Sequence, residues 1–370
     1  MESTVARQRL YSLDALRGFD MFWIMGGDEI FHKLNEVTES SFWGALSNQF
    51  HHPAWHGFAA YDLIFPLFLF LAGVATPYSI GKQMEDGKPS RAMLAKVIKR
   101  GLILVLLGII YNNGLEIRPF AEIRFGSVLG RIGLAYMFAN IIYLYASERG
   151  QIIWCIALLI GYWLLFLSGS APGYPRGDFS MEGNIVSYID TLILPGKLYL
   201  GIHDPEGLIS TIPAISTALL GIFTGNLIRS TQAEMGTKTV RQLILSGIIL
   251  ITLAQIWNLA FPINKNLWTS SFALQCGGIS MILMGVFYYV IDVKGYKAWA
   301  FFFKVIGMNS ILIYLSGHFI NWSYTTSALF EWLDQLVGGP YNLVAMVFCY
   351  LAVKWFFLYF LYRQRIFLRV

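Results

Sequence analysis

The sequence predicts an all-α integral membrane protein of about ten transmembrane helices, with both termini cytoplasmic and two long non-cytoplasmic loops. Three observations carry that expectation. Only 13% of the 370 residues are charged and 56% are hydrophobic, with a mean hydropathy of +0.56, whereas a soluble globular chain carries about 25% charged residues. The apolar residues are gathered into long blocks, such as 101–110 and 152–167, as bilayer-spanning helices require. The cations are also shared unequally between alternate loops. So deep a deficit of charge, with 16% aromatic residues, excludes a disordered chain and a nucleic-acid binder. It argues for one polytopic domain over 1–370 rather than two soluble ones.

Taken in order, the expected spans are 14–31, 58–81, 95–113, 126–147, 151–169, 208–228, 240–260, 269–291, 299–320 and 341–362. The first is the least hydrophobic, because Asp14, Arg17, Asp20 and Asp28 interrupt it. The second opens on Asp62 and Pro66, and the third is entered through Lys96, Lys99 and Arg100. The fourth contains Arg131 and is joined to the fifth only by residues 147–150. Asp204-Pro205-Glu206-Gly207 opens the sixth, residues 262–269 lie between the seventh and eighth, and Gly307-Met308-Asn309-Ser310 interrupts the ninth. The tenth carries Lys354.

With the N-terminus inside, 19 Lys and Arg fall in cytoplasmic segments and 6 outside. The positive-inside rule therefore sets both termini in the cytoplasm. All six histidines (His32, His51, His52, His56, His203 and His318) then fall on the non-cytoplasmic side. The N-terminus lacks the apolar core and cleavage site of a signal peptide, so the first span is expected to be its own insertion signal. Cys155, Cys276 and Cys349 sit in apolar segments without CxxC spacing and read as small hydrophobes. The outer loops 32–57 and 170–207 are long and rich in Gly, Pro, Trp and polar residues, where function tends to reside. No internal repeat of the kind transporters carry is visible.

Polar groups at the spans define candidate chemistry. Asp62 stands at the start of the second span, ten residues after His52, with His56 between them. An imidazole beside a carboxylate is the arrangement of an oriented general base or nucleophile. The competing readings are a carboxylate favoured by a helix N-terminus and a metal site drawn from His51, His52, His56 and Asp62, although no HExxH or comparable spacing occurs. Asp14 and Arg17 share one face of the first span, either as an internal ion pair or with Arg17 holding an anionic ligand. Arg131 needs a partner or a phosphate inside its span. Lys96, Lys99 and Arg100 are either topogenic cations or a phosphate-binding group. Asn309 and Ser310 either hydrogen-bond neighbouring helices or join the cytoplasmic ligand site. No GxxxxGK[ST] or GxGxxG occurs, which rules out a phosphate loop.

Several segments carry a resemblance. Arg9-Leu10-Tyr11-Ser12-Leu13-Asp14-Ala15-Leu16-Arg17-Gly18, His52-Pro53-Ala54-Trp55-His56-Gly57, Asp62-Leu63-Ile64-Phe65-Pro66, Asp204-Pro205-Glu206-Gly207, Asn264-Lys265-Asn266-Leu267-Trp268 and Gly307-Met308-Asn309-Ser310-Ile311-Leu312 resemble, in family order, the heparan-α-glucosaminide N-acetyltransferases. The animal enzymes of that family carry an extra luminal domain and N-terminal span, and this chain is similar to the compact bacterial members. The resemblance implies a transmembrane acyltransferase that takes acetyl-CoA from the cytoplasm and acetylates the amine of a glucosamine, or of a glucosamine-containing glycan, on the far side. It implies His52 as the catalytic histidine. Asp28 falls where the family has a luminal asparagine, which adds a second carboxylate near His52 or marks a different acceptor.

The implied catalytic group is His52, Asp62 and Asp28. The implied cofactor-binding group is Arg17, Asp14, Lys99, Arg100, Arg131, Asn309 and Ser310. Acceptor-binding candidates are Trp55, His56, Asp204, Glu206, Asn264, Lys265, Asn266, Trp268 and His318. A thioester is already activated, so the enzyme needs a deprotonated amine, close approach and a stabilised oxyanion. Direct transfer with His52 as base and Asp62 assisting is favoured over an acetyl-histidine. Acetyl-CoA is the expected donor, with no metal and no nucleic-acid partner. The expected surroundings are lipid of a bacterial cytoplasmic (inner) membrane, and the resemblance implies a homodimer. The competing functions are O-acetylation of a cell-envelope sugar and proton-coupled transport of a sugar or organic anion through Asp62 and the histidines.

Overall fold

The computed structural model describes residues 10–84, 89–116, 118–231 and 235–368. Arg7, Arg9, Lys88 and Arg369 of the cytoplasmic charge tally lie outside the described residues. Those described are helical, with no strand and one isolated antiparallel bridge, Arg124–Gly196, tying two loops together. The order is α1 (Tyr11–Phe22), continued by a π-helical turn (Trp23–Gly27), α2 (Glu29–Thr38), α3 (Ser41–Asn48), a 3₁₀ turn (Ala60–Leu63), α4 (Ile64–Met84), α5 (Arg91–Asn113), α6 (Val128–Tyr145), α7 (Glu148–Ser168) and α8 (Ile185–Ile193). There follow α9 (Thr211–Ser230), α10 (Gly236–Asn258), α11 (Ser270–Phe287) with a π-helical end (Tyr288–Val293), α12 (Ala300–Gly307), α13 (Ser310–Phe319), α14 (Trp322–Val337) and α15 (Asn342–Arg363).

Among the described residues, 7 helices are long and apolar enough to cross a membrane: α4 with its leading turn, α6, α7, α9, α10, α11 with its π-helical end, and α15. The pair α12–α13, bent by 65° at Met308-Asn309, makes an eighth. The chain is therefore an integral membrane protein. Each of the ten expected windows meets a helix, but α1 and α5 fall outside this set. The first helix is only 12 residues long and contains Asp14, Arg17 and Asp20, and α5 carries Arg91, Lys96, Lys99 and Arg100 in its first half. The first window also ends early. Gly26, at φ 120°, takes a conformation that a side chain would strain, and the chain leaves α1 there to form the α2–α3 hairpin.

Side-chain caps set several helix starts. Ser90, Ser127, Ser147, Asn184 and Thr269 each accept a backbone N–H from the first turn that follows. The Ser147 cap lets α7 begin at Glu148, directly after α6 ends at Tyr145, so the tight join between the fourth and fifth spans is a real turn. At the centre, α4 and α9 approach so closely that a Cβ on Gly73 would strike the Ala218 carbonyl and one on Gly221 the Phe70 carbonyl. Helices α1 and α12 meet in the same way, with Gly18 against the Phe303 carbonyl and Gly307 against the Asp14 carbonyl. Small residues allow such backbone contact where lipid offers no hydrophobic drive. By contrast, α7 and α10 hold Ile153, Ile156, Leu164, Ile249 and Ile256 outward, as lipid-facing helices do.

Overpacking a tight helix seam costs about 1–3 kcal/mol or more. Gly18→Val should therefore lower the thermal unfolding midpoint of the detergent-solubilised protein by several degrees. An unchanged midpoint would show that α1 and α12 are not held in backbone contact.

Candidate active site

The centre is built by two loops at one end of the bundle. After α3 the chain is pinned by Tyr61 N–H donating to the Gln49 carbonyl (3.0 Å) and Ala60 N–H to Gln49 Oε1 (3.2 Å). Gly57 N–H donates to the Ile263 carbonyl at 2.9 Å, joining this loop to the one between α10 and α11. The result brings His52 and Lys265 together across 213 positions of sequence. His52 Nδ1 lies 2.6 Å from Asp62 Oδ1, and the other carboxylate oxygen accepts the Ala59 N–H at 2.9 Å. A proton on Nδ1, donated to Asp62, leaves the Nε2 lone pair free, and Lys265 Nζ lies against the ring, 2.7 Å from Nε2 and 3.2 Å from Nδ1. Lys265 is also 3.9 Å from Asp62.

The three side chains differ in exposure. The Asp62 side chain is 1% exposed, Lys265 21% and His52 44%, so the carboxylate is the buried anchor and the imidazole the accessible group. Burial pulls the Lys265 ammonium below the usual lysine range, with Asp62 opposing that shift. The Tyr61 ring packs on the imidazole at 5.1 Å between centroids, and its hydroxyl is directed at the Asp28 carboxylate. Asp28 and His52 thus meet Tyr61 at its hydroxyl and at its ring. His52, Tyr61 and Lys265 open onto a cavity of about 130 Å³ whose walls are apolar, among them Met21, Ile24, Phe65, Phe68, Ile132, Ile311 and Tyr314.

The expected acceptor residues surround this centre in separate roles. His56 Nδ1 meets the Asn264 amide nitrogen at 3.3 Å, and burial lowers the His56 pKa. Trp55 donates to the Phe179 carbonyl at 2.7 Å and stands edge-on to His203, which pairs with Ser187 and is pulled by burial to about 4. Asp204 receives Arg124 twice and the N–H groups of Tyr199 and Glu206. That pairing leaves it in the scaffold rather than open to a substrate. Trp268 is fully buried between Phe65 and Phe272 and is likewise scaffold. Glu206 shares Arg124 and lies within electrostatic reach of Lys265 and Tyr314. Asn266, half-buried, flanks Lys265, while His318 packs against Tyr111 on the far side of Tyr314. Asp190, unremarked in the sequence, accepts the N–H groups of Leu208 and Ile209, and burial raises its carboxyl to about 6. His51 pairs with the His32 ring instead, and among the described residues no three His, Cys, Asp or Glu side chains converge on a metal position.

The expected cofactor residues divide. Asp14, 3.7 Å from Arg17, lines a cavity of about 420 Å³ at the opposite end, with Tyr11, Lys304, Met308, Tyr362, Arg363 and Arg365. Asn309 stands beside it, holding the C-terminal segment through the Ile366 carbonyl (2.9 Å) and the Leu368 N–H (3.0 Å). Ser310, next in the chain, is buried at the start of α13. Lys99 and Arg100 do not line this cavity. Lys99 sits on an outward face of α5 beside Leu102 and Leu106, and Arg100 stacks on Tyr136. Arg131 does not line this cavity either. It lies at the histidine end, donating to the Gly207 carbonyl and the Ser210 hydroxyl beneath the Trp268 ring.

Sequence reasoning passed over Tyr61 and Tyr314 at the centre, and Lys304, Arg363 and Arg365 as a group. The last three were counted only as topological cations. Their signal was the return of basic residues at both the ninth span's entrance and the tenth span's exit, which adjacent helix ends bring together.

A family model described as heparan-alpha-glucosaminide N-acetyltransferase, catalytic, matches residues 9–256. The heparan-alpha-glucosaminide N-acetyltransferase of Homo sapiens is 29% identical over 381 aligned positions, covering 87% of this chain and 56% of that protein. The protein of the same name from Mus musculus is 28% identical, covering 76% of this chain and 50% of its own length. The chain thus spans about half the length of the curated relatives it matches. The match takes in the loop carrying His52 and Asp62 as well as α1 to α9. This chain belongs to the heparan-α-glucosaminide N-acetyltransferase family.

Proposed function

We propose that this protein is an acetyl-CoA-dependent transmembrane N-acetyltransferase, with donor entry at the basic end and transfer to the amine of an amino sugar at the histidine end. One observation carries the reading. The Asp62–His52–Lys265 group opens onto an apolar cavity, and two of the segments that wall this cavity also wall the basic one. Helix α1 with its π-helical turn supplies Tyr11 and Asp14 to the basic cavity and Met21 and Ile24 to the apolar one. The α12–α13 pair supplies Met308 to the basic cavity, then Ile311 and Tyr314 to the apolar one. At 1.5 Å per residue, Tyr11 to Ile24 spans about 20 Å, of the order of an extended pantetheine arm.

The residues fit that donor. Lys304, Arg363 and Arg365 suit phosphate oxygens, and the rings of Tyr11 and Tyr362 line the same cavity. The small apolar cavity suits a thioester and its methyl group. At the histidine end, His52 Nε2 takes a proton from the amine as its nitrogen bonds to the thioester carbonyl carbon. Asp62 holds the imidazole in the required tautomer and stabilises the imidazolium. Lys265 Nζ leaves Nε2 for the carbonyl oxygen, where an ammonium in a low-dielectric wall stabilises the tetrahedral oxyanion. As the carbon–sulfur bond breaks, the His52 imidazolium returns its Nε2 proton to the sulfur, which restores the neutral imidazole, and the thiol leaves by the basic end.

The orientation follows the charge. The basic end is assigned to the cytoplasm by the positive-inside rule, which puts both termini there and His52 outside. The bacterial cytoplasmic membrane and ten spans belong to the same reading. Proteoliposomes of one orientation, loaded with labelled acetyl-CoA on the basic face and glucosamine on the other, should form labelled N-acetylglucosamine on the acceptor face and free CoA on the donor face. Passage of intact sugar without CoA release would make the protein a transporter instead.

Charge removal tests the donor site separately. The triple variant K304Q/R363Q/R365Q should raise the KM for acetyl-CoA at least tenfold with a smaller change in kcat. An unchanged KM would remove the basic cavity from the donor path.

A further inference from the structure

A second and larger recess lies beside the transfer centre, between the α1–α2 junction and the pair α14–α15. Its volume is about 520 Å³, and it adjoins a further recess of about 460 Å³ along α14, sharing Ser327 and Met346 with it. Its inner end meets the acyl cavity at Ile24, which lines both. The Asp28 carboxylate stands at that boundary, facing the hydroxyl of Tyr61.

Two of its walls are chemically opposed. Helix α14 presents Ser323, Thr326 and Ser327, spaced i, i+3, i+4 on one face. Helix α15 presents Leu343, Met346 and Val347 at the same spacing, with Met25 of the π-helical turn below. Tyr350, eight residues into α15, lies about 12 Å along that helix, so the recess descends beside the first turns of a membrane-crossing helix. A free sugar would leave its own hydroxyls unpaired against this apolar wall, whereas an amphiphile would bury a chain there.

The charge at the inner end suits one cation. Asp28 and Glu29 both line it. Lys33 is paired with Glu36 at 2.7 Å, and Lys354 sits beneath the recess, bonded to the Met25 carbonyl and the Tyr350 hydroxyl. Two carboxylates facing one uncompensated lysine leave a single net negative charge.

We infer that this recess is the acceptor site and that it takes an amphiphilic amino sugar, a glycolipid with a free amine, approaching from the outer leaflet. The amine rests at Asp28 and Glu29, the ring hydroxyls meet α14, and the apolar aglycone lies along α15. The inference rests on the acetyltransferase reading for the fate of the amine, while the binding itself does not.

Octyl β-D-glucosaminide, octyl β-D-glucoside, glucosamine and the β-1,4 glucosamine disaccharide serve as probes of the full-length protein in nanodiscs. Binding is read by calorimetry and acetylation by product mass. Octyl glucosaminide should bind at least tenfold more tightly than either glucosamine or octyl glucoside, and should be acetylated with the highest kcat/KM. Met346→Trp and Leu343→Trp, which fill the apolar wall, should each abolish its advantage over glucosamine, with melting curves verifying the fold. Equal binding of octyl glucoside would make the recess a bulk-lipid groove and overturn the inference. So would a tenfold gain for the disaccharide with none for the octyl chain, or a preference unmoved in both folded tryptophan variants. If octyl glucosaminide binds as expected but no acetyl group reaches any amine, the acetyltransferase reading fails and the site stands. If glucosamine is acetylated without preference for the alkyl glycoside, the site fails and the transferase stands.

Discussion

His52→Ala should reduce acetyl transfer by about 10²–10⁴-fold, the range for loss of a positioned general base, with acetyl-CoA affinity and protein yield near wild type. The separation follows from position. His52 stands at the mouth of the apolar cavity, its ring 44% exposed and held by Asp62, Lys265 and Tyr61, far from the basic cavity that Arg363 and Arg365 line. Truncating an accessible ring creates no buried void, so the fold should not suffer. Steady-state rates beside a binding isotherm for acetyl-CoA check both parts. More than about a tenth of wild-type activity would be incompatible with a base contributing that much.

Asp62→Asn should cost a comparable factor, about 10²–10⁴, by a different route. The carboxylate accepts the Nδ1 proton at 2.6 Å and thereby directs the Nε2 lone pair outward. An amide at that position can donate to Nδ1 instead, which would place the ring proton on Nε2 and leave no lone pair for the amine. The Ala59 N–H can still be satisfied by the amide oxygen, so the start of α4 should hold. Because both residues act through one imidazole, the double variant H52A/D62N should be no slower than H52A alone. A double variant slower by the full product of the single effects would mean that Asp62 acts independently of His52.

The helices were legible where hydropathy alone decides, as for α4, α7 and α15. The capped turn at Ser147 was readable from its polar break. What escaped were helices inside expected outer loops, α2, α3, α8 and α14. Their polar faces and short lengths give no bilayer signal, yet α2 and α14 border the recess beside the transfer centre. His52 and Asp62 could be paired from local spacing because ten residues form one turn-containing loop. Lys265 could be named but not set on the imidazole, since the contact depends on the Gly57–Ile263 backbone bond between distant loops. Arg131 shows the reciprocal difficulty. A cation inside a span demands a partner, and sequence cannot tell a phosphate from the Gly207 carbonyl and Ser210 hydroxyl that accept from its Nη2 here.

The most direct test is single-turnover transfer from radiolabelled acetyl-CoA to glucosamine by the purified protein, run beside His52→Ala. Wild type should convert bound label to N-acetylglucosamine only after acceptor is added, with no label on the protein beforehand and no product from the variant. Label trapped on wild-type protein before acceptor would contradict direct transfer and replace it with an acetyl-histidine. Product formed at the wild-type rate by His52→Ala would contradict the site itself.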